Sequence, residues 1–79
     1  MYRSENAKRY AILLGQHIKN LREERNMTLK EMSQKTGIRV EYLKRIEAGI
    51  AYRVKINEHL YKIAKALKIT MVKLFSFEK

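Results

Sequence analysis

Four pairs of apolar residues punctuate the chain, each pair five positions apart: Met27 and Met32, Ile38 and Leu43, Ile56 and Tyr61, Ile69 and Leu74. At this spacing a residue just ahead of a helix packs against one in its opening turns, so each pair predicts a helix start. Thr28 and Glu31 add a capping box to the first start. Asn57 and Thr70 are good N-caps for the third and fourth. Proline is absent and only three glycines occur in 79 residues, so little in the chain breaks helices.

Five helices are expected. Helix 1 runs from after Ser4 to near Arg25, with Ala7, Ala11, Leu14, Ile18 and Leu21 on one face and Asn26 closing it in a left-handed conformation. Helix 2 runs from about Leu29 to Lys35, where Gly37 ends it. Helix 3 runs from about Val40 to Ala48, where Gly49 ends it. Helix 4 carries the stripe Leu60, Ile63, Ala64 and Leu67, and a short helix 5 carries Met71, Leu74 and Phe75. The stretch Ile50 to Ile56 reads as a loop. The fold class is all-α, and one domain over residues 1–79 is the default at this length.

The charge limits the partners. Eighteen lysines and arginines stand against eight glutamates and no aspartate, a net charge of +10. So basic a small domain points to a polyanion, either nucleic acid or an anionic membrane, with a soluble protein from a lysine-rich proteome as the bland alternative; nucleic acid is the favoured reading. The longest apolar run, Tyr10 to Leu14, falls far short of the roughly 20 residues that span a bilayer. It is also too short for a signal-peptide core. With no cysteine there is neither a disulfide framework nor a thiolate metal site, which fits a cytoplasmic protein. His17 and His59 have no cysteine or aspartate company, so no metal or other cofactor is expected. No nucleophile–base pair, phosphate loop or carboxylate dyad is present, so no enzyme is expected.

A short helix, a glycine turn and a second short helix form a helix-turn-helix candidate over about residues 28–48. The stretch "MTLKEMSQKTGIRVEYLKRIEAG" resembles the helix-turn-helix of the XRE family, the phage Cro and CI repressor-like domains. Thr28, Glu31-Met32, Gly37, Leu43, Ile46-Glu47 and Gly49 match its pattern in order. "LGQHIKNLREERNMT" resembles the family's first helix and "LYKIAKALKITMVKLF" its fourth and fifth. The resemblance covers about Leu14 to Phe75. It implies a five-helix lambda-repressor-like domain, here with an N-terminally extended helix 1. It also implies a sequence-specific regulator of transcription, a dimeric repressor or controller protein that sets helix 39–48 in the major groove of double-stranded DNA.

The residues agree. Leu43 and Ile46 point inward, while Glu41, Lys44, Arg45 and Ala48 fall together on the opposite face of helix 3. The resemblance implies base contacts from Val40, Glu41 and Arg45, with Lys44 beside them, and Arg39 at the helix start is a further candidate. Val40 suits a thymine methyl and Glu41 a cytosine amine, although Glu41 also has the spacing to pair with Arg45 instead. Arg39 stands where the family commonly has a capping serine or threonine. It gives up a cap and meets the positive end of the helix dipole, so it either contacts DNA or extends into water. Phosphate contacts are expected from Thr28 and Lys30. Tyr52, Arg53 and Lys55 are phosphate candidates or ordinary loop residues. Leu29 replaces the family's phosphate-binding glutamine. Glu47, on the inward side, needs a partner, and the resemblance implies an ion pair with Arg22.

Tyr10, Leu13, Val72, Phe75 and Phe77 are apolar groups beyond what so small a core needs. They are expected either at a homodimer interface built from the chain ends or folded against one another within one chain. No membrane partner and no small-molecule ligand is expected. The competing reading is an antitoxin-like protein-binding module on the same fold.

Overall fold

The computed structural model describes the backbone of residues 2–50 and 56–77 and the side chains of residues 8–50 and 58–77. The protein is all-α. Its described residues form α1 (Tyr2–Glu24), α2 (Leu29–Thr36), α3 (Val40–Ala48), α4 (Ile56–Leu67) and α5 (Met71–Leu74).

Local chemistry places most of the helix ends. At the start of α2 the Thr28 hydroxyl accepts from the Glu31 amide at 3.0 Å, and the Glu31 carboxylate accepts from the Thr28 amide at 2.9 Å. Gly37 ends α2 at φ 79° and Gly49 ends α3 at φ 80°, both left-handed. Asn26 closes α1 at φ 52°. The Thr70 hydroxyl caps α5 by accepting from the Lys73 amide at 3.1 Å. Some boundaries differ from those expected. α1 begins at Tyr2 rather than after Ser4. α2 continues through Thr36, whose hydroxyl donates to the Met32 carbonyl at 2.8 Å and accepts from the Ile38 amide at 3.1 Å, carrying the chain into the turn. α4 begins at Ile56, so Asn57 lies in its first turn instead of capping it.

Leu14, Ile18 and Leu21 of α1 form the core with Met32, Ile38, Leu43, Ile46, Leu60, Ile63, Leu67 and Leu74, all buried. Three of the four spacing pairs put their second member in this core: Met32, Leu43 and Leu74. Tyr61 does not join them. It is 57% exposed, with the Lys65 ammonium 5.9 Å from its ring centroid. The face of α4 that carries Leu60, Ile63 and Leu67 points inward, and Tyr61 stands outside that stripe.

α1 and α3 cross at two glycines. A Cβ on Gly15 would fall on the Ile46 carbonyl oxygen and lie 2.7 Å from that of Glu47. A Cβ on Gly49 would lie 2.6 Å from Ile12 Cα. The two backbones meet here without side chains between them, and that contact fixes how α3 is presented.

Candidate nucleic-acid interface

α3 is nine residues long, too short to be stable alone, so its orientation comes from what holds its inner side. Leu43 and Ile46 bury 99% and 97% of their accessible surface against the core. Beside them the Glu47 carboxylate accepts from Arg22 Nε at 2.7 Å and from Arg22 Nη2 at 3.0 Å. Arg22 Nη1 donates to the Met27 carbonyl at 2.8 Å, so one guanidinium joins α1, the start of the helix-turn-helix and the end of α3. Hydrogen bonding to Glu47 holds this guanidinium above its already high ordinary pKa, against the opposing effect of burial. Tyr42 packs on His59 of α4 with ring centroids 4.9 Å apart. Tyr42 Oη and His59 Nδ1 are buried without a hydrogen bond, so ring packing holds this joint.

The outer side is polar. Arg39, Glu41, Lys44, Arg45 and Ala48 are exposed and Val40 is half-buried. Arg39 occupies the N-cap in an extended conformation, φ −63° and ψ 148°, and makes no side-chain bond to the helix start. Among the described residues the ion pairs are Arg22–Glu47 and a 3.9 Å approach of Arg25 to Glu24. Glu41 is therefore paired with neither Arg45 nor Lys44. Arg39, Lys44 and Arg45 likewise carry charge that nothing within the described residues neutralises. Thr28 and Lys30 are exposed at the start of α2. Tyr52, Arg53 and Lys55 lie outside the described residues.

The apolar groups at the chain ends divide. Tyr10 stacks on Phe75 at 6.4 Å and meets Phe77 edge-on at 5.2 Å, and both phenylalanines pack against the core of their own chain. Tyr10 nevertheless stays 42% exposed, and Leu13 and Val72 are 40% and 80% exposed. His17 packs on Phe77 at 5.6 Å, with Nε2 3.3 Å from the Lys73 carbonyl.

Three contributors escape a reading of the sequence. Gly15 is one. Arg25 is another: its Nε donates to the Leu67 carbonyl at 3.0 Å and its Nη1 to the Leu21 carbonyl at 2.9 Å, tying the ends of α1 and α4. The Tyr42–His59 joint is the third. None has a local signal, since each depends on residues distant in the chain.

A protein-family model described as helix-turn-helix matches residues 18–74, the span from the last third of α1 to the end of α5. No curated protein matches the chain. Among the described residues no helix is long and apolar enough to cross a membrane.

Proposed function

The chain belongs to the XRE-type helix-turn-helix family of Cro and CI repressor-like DNA-binding regulators, and on that premise we propose that it is a sequence-specific repressor or controller that reads duplex DNA with α3. One observation carries the reading. A short helix is locked on its inner side by the Arg22–Glu47 pair and presents Arg39, Lys44 and Arg45 outward with no ion-pair partner among the described residues. A helix with that face fits the major groove, where arginine and lysine find guanine O6 and N7.

In this reading Arg45, Lys44, Glu41 and Val40 meet base edges. Arg39 meets a guanine edge or a phosphate beside the helix start, which offsets its repulsion by the dipole. Thr28 and Lys30 touch phosphates and set the register. Tyr52, Arg53 and Lys55 extend the phosphate track. One helix-turn-helix reads few base pairs, so two chains pair about a two-fold axis and take half-sites about one helical turn apart. Tyr10, Leu13 and Val72 are exposed apolar side chains near the chain ends and, with Phe75 and Phe77, supply apolar surface for that contact. The protein acts in the cytoplasm.

Selection of bound sequences from random duplex DNA at about 0.15 M salt tests the proposal. The expected result is one enriched motif with two-fold symmetry. Salt-sensitive binding with no motif would remove sequence-specific regulation and favour a charge-driven or protein-binding role.

A further inference from the structure

We propose that Val40 and Glu41 together read a cytosine and its C5 substituent, so that the protein binds 5-methylcytosine more tightly than cytosine; the inference rests on α3 being the base-reading helix. Glu41 is exposed and makes no ion pair among the described residues, although Lys44 and Arg45 follow on the same face. A bare carboxylate on a face that approaches phosphates is repelled by them. A hydrogen-bond donor on a base edge offsets that repulsion. The major groove offers two, the cytosine N4 amine and the adenine N6 amine.

The neighbouring atom separates them. Beside the adenine amine lies N7, an acceptor, which repels the second carboxylate oxygen. Beside the cytosine amine lies C5, which carries no lone pair. The carboxylate therefore favours cytosine. Val40 directly precedes Glu41 in the first turn of α3, is half-exposed, and has nothing to donate or accept. An apolar side chain next to a cytosine-reading carboxylate covers C5, and a methyl there extends its contact. Thymine carries the same methyl but places its O4 acceptor where Glu41 requires a donor. The amine-and-methyl edge of 5-methylcytosine is the one that complements both residues.

The test begins from the best site in the selected pool. Glu41→Ala locates the base pair that Glu41 reads, as the position whose preference relaxes. Duplexes with cytosine, 5-methylcytosine or thymine at that position are then titrated with the wild type and with Val40→Ala, each shown to be folded by its melting transition. Val40→Ser is the substitute should the alanine variant not fold. The 5-methylcytosine duplex is expected to bind about fourfold tighter than the cytosine duplex, the effect of burying one methyl group. Thymine is expected to bind more weakly than either, and in Val40→Ala the ratio of 5-methylcytosine to cytosine binding falls toward one. Equal or weaker binding of 5-methylcytosine, a ratio unchanged by removing Val40, or a Glu41 position that is not cytosine overturns the inference and leaves α3 as the reader. A selected pool with no motif overturns both.

Discussion

Arg22 Nε donates to Glu47 Oε2 at 2.7 Å while Nη2 donates to Oε1 at 3.0 Å, a two-pronged pair between side chains only 9% and 7% exposed. Removing one partner strands the other charge in the interior. Glu47→Ala is expected to lower stability on the order of 2 kcal/mol or more by denaturant unfolding. Arg22→Ala is expected to lower it further, because the bond to the Met27 carbonyl goes as well. A double-mutant cycle with no coupling would contradict a shared interaction. The raised pKa of Arg22 makes its contribution present at every pH below the unfolded-state value and lost only at more alkaline pH, so Arg22 adds no pH dependence near neutrality.

Gly15→Ala offers a test by sign. In a free helix the change stabilises by about 1 kcal/mol. Here the new Cβ falls on the Ile46 carbonyl and 2.7 Å from the Glu47 carbonyl, backbone atoms that cannot step aside. Destabilisation of at least about 2 kcal/mol is expected in thermal or denaturant unfolding. A stabilised variant would show that α1 and α3 do not cross this closely.

Arg39→Ser separates stability from binding. A serine in the extended N-cap of α3 gains the hydrogen bond that Arg39 does not make, worth about 1 kcal/mol. The variant is expected to melt at higher temperature and to bind its DNA site more weakly. Higher stability with undiminished binding would place Arg39 in water instead of against DNA.

These cases show what the sequence could and could not carry. The start of α2 was legible because Thr28 and Glu31 are three residues apart and satisfy each other. The end of α3 was legible because a left-handed residue there needs glycine. Tyr61 marks the start of α4 without joining the core, because staple spacing says where a helix starts but not which way its face turns once Leu60 and Ile63 enter the core. Asn57 was misplaced as a cap because any good capping residue in a first turn carries the same signal. The outward face of α3 followed from its periodicity, with Glu41, Lys44 and Arg45 opposite Leu43 and Ile46. Gly15 and Arg25 were silent. Their partners, Ile46 and Leu67, lie 31 and 42 residues away, and no local pattern encodes a crossing.

The dimer has its own test. Leu13→Glu with Val72→Glu places charge at two exposed apolar positions that are not part of the buried core. Sedimentation at tens of micromolar is expected to show a dimer for the wild type and a monomer for the double variant. The variant is also expected to lose preference for paired over single half-sites. A monomeric wild type that binds one asymmetric site would sink the dimer.

The central claim, that α3 reads bases, is tested most directly by titrating wild type and Arg45→Ala against the best selected site and every single-base-pair variant of it. The account predicts that Arg45→Ala loses about 1–3 kcal/mol on the best site and becomes indifferent at only one or two base pairs. Lys30→Ala, measured beside it, should weaken all the duplexes alike and reduce the salt dependence. Undiminished binding of the best site by Arg45→Ala, or a loss spread evenly over every sequence, would contradict the assignment of α3 as the reading helix.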